Sequence, residues 1–187
     1  MNPKIVKLVL LIYNGSIYAL RIVEEAIIKL ESVGLVKNKA GSGWIVSKIS
    51  SQEIIELYDL RKLLEVYSGK IGCLKCPKEI KNEIKNELNL MEKAKRVDTW
   101  RERNMRFHEL IVLSCNNKKI YGVFMSTIKM LNWCSHVTEP VSLRKKESLI
   151  EHQSILDAFL LKDQELFEQK ISLHIDNAKK KVIRYQK

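Results

Sequence analysis

The chain holds four histidines in 187 residues, and three of them stand where a helix would place an apolar side chain. In the stretch WRERNMRFHELIVLSC, Trp100, Phe107, Ile111 and Cys115 recur at helical spacing. Asn104 and His108 fall into the same stripe, because residues at i, i+4, i+7, i+8 and i+11 share one helix face. His152 shares a face with Leu149, Leu156 and Phe159, and His174 with Phe167, Ile171 and Ala178. Three neutral imidazoles turned into a core suit a divalent transition metal, with zinc or nickel first and copper or iron after them, and leave room for an exogenous ligand. Asn104, one turn before His108, can add an amide oxygen but no charge. For any one histidine the plainer alternative is a core residue satisfied by hydrogen bonds; three together favour the metal. His136, at the edge of its helix's apolar face, is left out.

Arg61 shares a face with Ile54, Leu57 and Leu64. A buried guanidinium needs an anion beside it. That anion is either a structural partner such as Glu65 or the carboxylate of a bound small molecule. A metal on three histidines also fits hydrolase chemistry. Glu109 and Glu151 flank His108 and His152 but are expected to point to other faces, which leaves no general base. We therefore expect no enzyme.

The elements that must position these residues are helices. Residues 4–13 read as a short apolar helix, and Asn14-Gly15-Ser16 as a turn. A helix follows over Tyr18–Val33, with Ile22, Ala26, Leu30 and Val33 as its stripe and Gly34 to end it. Two extended runs, Leu35–Lys39 and Trp44–Ser47, joined by Ala40-Gly41-Ser42-Gly43, read as a β-hairpin. From Ser51 onward only helices are expected. The first runs from a Ser51 cap to about Gly69, and the next from Pro77 to Arg96. A third, capped by Asp98 or Thr99, runs to Cys115. The rest span about 118–136, 142–161 and 163–184. Six helices with short connections predict an antiparallel bundle.

Helix, turn, helix and hairpin is the layout of a winged helix-turn-helix. The run Leu30-Glu31-Ser32-Val33-Gly34-Leu35-Val36, followed by Gly41-Ser42-Gly43-Trp44-Ile45-Val46, resembles the winged end of GntR-family repressors. It departs from them at Ala19, Leu20 and Ser42, where the family carries Ser/Thr and Arg, and the head is shorter. Three further patterns resemble the FadR branch of that family and its FCD effector domain. They are Glu56-Leu57-Tyr58-Asp59-Leu60-Arg61…Leu64-Glu65, Asn104-Met105-Arg106-Phe107-His108-Glu109-Leu110, and Glu151-His152-Gln153-Ser154-Ile155-Leu156-Asp157-Ala158 with His174 beyond. The resemblance implies a metal held by one Asp and three His, which in turn binds a small carboxylate effector. The matching positions are Asn104, His108, His152 and His174, with Asn in place of Asp.

The expected architecture is mainly α: a shortened winged-helix head over residues 1–47 and an FCD-like bundle over 51–187. The expected function is a ligand-responsive transcriptional regulator. The alternative is a metal- or ligand-binding helical protein whose DNA-binding head has lost function. Expected partners are double-stranded DNA, a small carboxylic acid and a second copy in a homodimer. The homodimer would use Leu88, Leu90, Met91, Val123, Met130 and Trp133.

The formal charge of +11 suits an anionic partner, but it is spread along the chain. Residues 1–47 carry six Lys and Arg against three Glu. Ser16, Tyr18, Arg21, Lys29, Lys37 and Lys39 are the candidate DNA contacts. The Lys179-Lys180-Lys181…Arg184 run reads as a solvated last turn. No run of 18 or more apolar residues occurs, so we expect a cytoplasmic protein. Cys73 and Cys76 form a lone CxxC and read as incidental thiols, with a disulfide as the alternative.

Overall fold

The helix that carries His108 runs from Val97 to Leu113 in the computed structural model, close to its expected span. The structure describes residues 17–32, 34–41, 43–47, 50–138 and 145–185; the side chains of 17–20, 133–138 and 185 are not among those described. The expected helix at 4–13, Ser16, and the side chains of Tyr18, Trp133 and His136 therefore lie outside the described residues. Seven helices are described, and we number them in chain order. They are α1 (Ile17–Ser32), α2 (Ser51–Lys75), α3 (Lys78–Lys93), α4 (Val97–Leu113), α5 (Lys118–Thr138), α6 (Lys145–Leu161) and α7 (Gln164–Tyr185). A hairpin, β1 (Val36–Lys39) and β2 (Gly43–Val46), follows α1. The chain divides into two units, residues 1–50 and 51–187.

In the first unit α1 stops as a Schellman motif. Gly34 has φ 76°, its N–H donates to Glu31 O and the Leu35 N–H to Leu30 O. The hairpin is antiparallel, pairing Val36 with Val46 and Lys39 with Gly43. Gly41 and Gly43 carry the positive φ values of its turn. The expected stripe of α1 is corrected. Ile22, Ala26 and Leu30 are exposed, and Val23 and Ile27 are the half-buried pair.

In the second unit α2 is the central helix and packs against α4, α5, α6 and α7. It does not stop at Gly69 but continues to Lys75. Gly69 and Gly72 are there for close approach. A Cβ on Gly69 would meet the Phe167 ring at 2.1 Å, and one on Gly72 would meet Ser114 Oγ at 1.9 Å. Glycine thus lets α2 touch α7, α4 and α6 without a side chain between them. Phe107, Phe124, Phe159 and Phe167 fill the interior, with Ile54, Ile84 and Met91.

The helix ends follow local chemistry. Asn117 Oδ1 accepts from the N–H groups of Lys119 and Ile120 at the start of α5, and Asp163 Oδ1 from that of Leu166 in α7. The expected cap of α4 at Asp98 or Thr99 is corrected. The cap position is Arg96, two residues before Asp98, and it makes no side-chain cap bond. Leu88 and Met91 are not spare surface either, since both face the core where α3 packs on α4 and α6. Lys179 is likewise not simply solvated; its Nζ pairs with Asp59 at 2.7 Å and ties α7 to α2. Cys73 and Cys76 are free thiols.

Candidate metal centre

His108 on α4, His152 on α6 and His174 on α7 meet in the middle of the bundle. Their exposures are 1%, 0% and 3%. Helical phase is the cause: each ring extends a core stripe, and the packing of the helices brings the stripes together. The Nε2 atom of His108 lies 3.1 Å from that of His152 and 3.2 Å from that of His174. The edge of Phe107, itself fully buried, lies against the rings of His108 and His152.

The far side of each ring is tied down. His108 Nδ1 lies 2.6 Å from Glu65 Oε2, and His174 Nδ1 lies 2.6 Å from Glu151 Oε2. His152 Nδ1 lies 2.6 Å from the Ser148 carbonyl. A carbonyl only accepts, so His152 carries its proton on Nδ1. Ionised carboxylates impose the same tautomer on His108 and His174. With that tautomer on all three rings, the Nε2 atoms of His152 and His174 turn lone pairs toward that of His108, an arrangement a cation would satisfy.

Two of the three nitrogen pairs have the spacing of neighbouring ligands on a divalent ion, and all three ligand atoms lie within 4.8 Å of one another. Metal–nitrogen bonds of about 2.0–2.1 Å set neighbouring ligand nitrogens about 2.9 Å apart in an octahedron and about 3.3 Å apart in a tetrahedron. The observed 3.1 and 3.2 Å lie between. Protonation state agrees. Burial first, then Arg61 and His174, hold the His108 ring well below the ordinary imidazole range. Burial first, then His174 and His108, do the same for His152. Neutral imidazole is the form that binds a metal.

Asn104 lies one turn before His108 and is half-buried. Arg61 is buried and its Nε donates to Glu65 Oε1 at 2.6 Å, with Tyr58 alongside. One buried line therefore runs Arg61, Glu65, His108. Burial raises the Glu65 carboxyl pKa, and Arg61 opposes that rise. The structural partner expected for Arg61 is present, and that partner also serves a histidine. The expectation for Glu151 is corrected. It does leave its neighbour His152, but it reaches His174 on the next helix. Helix phase tells which face a residue occupies, not which neighbouring side chain waits there.

In the first unit Arg21, Lys29, Lys37 and Lys39 are exposed. Arg21 lies 3.5 Å from Glu25. Lys37 and Lys39 alternate on one face of β1.

Comparison with known proteins agrees with this architecture. The FCD domain matches residues 56–177. The chain is 23% identical over 159 residues to the uncharacterized HTH-type transcriptional regulator YdhC of Bacillus subtilis, covering 83% of this chain and 71% of that one. It is 25% identical over 188 residues to the Uxu operon transcriptional regulator of Escherichia coli, covering 88% and 72%. Among solved structures, the Zn2+-bound FCD domain of TM0439 superposes with a TM-score of 0.61 at 20% identity, over 74% of this chain and 96% of that one. Among the described residues no helix is long and apolar enough to cross a membrane. A helical domain of this kind over more than half of the chain, behind a helix and hairpin, makes this protein a member of the FadR/FCD branch of the GntR-family transcriptional regulators.

Proposed function

We propose that this regulator senses a small carboxylic acid through a divalent transition metal held by His108, His152 and His174. The observation that carries the reading is the convergence of three buried Nε2 lone pairs, each fixed by a partner behind its ring. The zinc bound by the FCD domain of TM0439 supports it. Zinc or nickel is the expected ion, and Asn104 is a neutral fourth ligand or a donor beside it. The ion would offer a Lewis-acid site to a carboxylate. Arg61, whose charge already bears on His108, is the residue to clamp the effector's second oxygen. No role as an enzyme is assigned.

The head would bind double-stranded DNA in the cytoplasm, using Arg21, Lys29, Lys37 and Lys39, with Ser16 and Tyr18 at the turn. So few cations give weak, salt-dependent binding. A homodimer matches two half-sites to protein two-fold symmetry. The exposed Leu63, Tyr67 and Leu74 of α2 are apolar surface for it.

The test is metal content. Purified protein should carry close to one equivalent of transition metal, and His108→Ala or His174→Ala should lose it. Citrate should raise the melting temperature of the metal-loaded form more than that of the chelated form. If chelation changes neither stability nor the response to acid, the three histidines are packing. Absence of DNA binding even at low salt would favour a head that has lost function. A monomeric mass by light scattering would remove the dimer.

A further inference from the structure

The three anchors behind the histidines are not equivalent. Ser148 offers His152 a neutral carbonyl, whereas Glu65 and Glu151 offer His108 and His174 carboxylates. Each carboxylate is gripped on its other oxygen. Arg61 Nε donates to Glu65 Oε1 at 2.6 Å, and Asn177 Nδ2 donates to Glu151 Oε1 at 2.8 Å. Neither carboxylate can turn without breaking a second bond. Glu65 is fully buried, and the Glu151 side chain is 18% exposed.

A carboxylate behind an imidazole fixes the ring, makes the opposite nitrogen more basic and passes part of its charge to a bound ion. That function matters here because α4 presents the neutral Asn104 one turn before His108, so no carboxylate occupies that turn. A +2 ion on three neutral rings would otherwise sit in a buried site without protein charge to match it.

We propose that Glu65 and Glu151 are the anions of this centre. They act through His108 and His174 as positioning residues and supply the negative charge that Asn104 does not. Metal affinity then depends on two side chains that never touch the ion. The inference rests on the metal reading above.

The test uses the full chain and zinc as the probe, with affinity read by competition against a chromophoric chelator. Glu151→Gln is the variant of choice, since Glu65→Gln would leave Arg61 buried without its anion. Glutamine keeps the shape and the acceptor but removes the charge. Zinc affinity should fall about 10–100-fold, with the melting temperature of the metal-free form unchanged. The absorption bands of the cobalt(II)-loaded protein should shift. Adding Asn104→Asp to Glu151→Gln should return at least tenfold of the lost affinity, which a role in packing alone would not do. If Glu151→Gln binds zinc as tightly as the parent while His174→Ala does not bind, the proposal is overturned and the metal reading stands. Failure of Asn104→Asp to restore affinity overturns it too, because the charge is then not what was lost. If the parent binds no zinc, both fall together.

Discussion

Replacing Gly72 by alanine should destabilise this protein, although the same change in an ordinary helix interior stabilises. Alanine is favoured over glycine in a helix by about 1 kcal/mol. At Gly72 the new methyl would lie 1.9 Å from Ser114 Oγ, 2.7 Å from Ser114 Cβ and 2.9 Å from Phe159 Cε2. Neither neighbour has room to retreat, since both are 1% exposed. The Ser114 hydroxyl also donates to Ile111 O at 2.6 Å. Overpacking of this kind costs about 1–3 kcal/mol, and losing the serine's bond about 1 kcal/mol more. Set against the gain in propensity, the net loss is about 1–3 kcal/mol. Gly122 in α5 is the control. A Cβ there meets nothing within 4 Å, so Gly122→Ala should gain about 0.5–1 kcal/mol. Urea unfolding at an unchanged m-value reads both. The clash also bears on the metal, because α2 carries Glu65 and would be pushed off the helices that carry His108 and His152. Zinc affinity should therefore fall in Gly72→Ala and not in Gly122→Ala. A Gly72→Ala protein as stable as the parent would refute the close-approach reading.

Three further outcomes are expected. Zinc at about a hundred times its dissociation constant should add about 2.7 kcal/mol and raise the melting temperature by about 5–10 °C; calorimetry with and without chelator measures it, and an unchanged transition would contradict the metal site. Cys73, whose thiol burial pushes up to about 11, should resist alkylation at neutral pH until the protein is unfolded, as read by mass spectrometry. Burial raises the Asp176 carboxyl, but its bonds to Lys62 and Lys179 outweigh that and leave it below its ordinary 3.8. A carboxyl lowered by folding adds stability above its unfolded value and loses it as the pH falls through the folded one. Asp176→Asn should therefore cost up to about 1 kcal/mol at neutral pH, and the difference should vanish in acid below about pH 3; a difference that persisted there would assign it to packing.

The three histidines were legible in the sequence because helical phase is a property of one segment, and each violated its own stripe. The buried position of Arg61, and its need of an anion, were legible by the same means. Glu65 as a partner of His108, and Glu151 as a partner of His174, were not, since those pairings cross from one helix to another. Gly69 reads as a stop in the sequence because glycine both ends helices and lets them touch, and only the presence of Phe167 decides between the two. Leu88 and Met91 look like surface in the sequence because one apolar face suffices for one neighbour, whereas their helix packs on two. Arg96 precedes α4 without any capping side chain, so no local signal marked that boundary.

The centre draws on residues far apart along the chain: Glu65 and His108 are separated by 43 positions, and His108 and His174 by 66. During synthesis the last ligand emerges only with α7. Until that helix docks, a nascent chain offers at most two of the three rings, and tight capture of a metal needs all of them. On the proposed metal reading the ion would not template the early helices: uptake by newly made protein would follow the docking of α7, and a chain stalled before α7 would hold zinc far more weakly than the finished one.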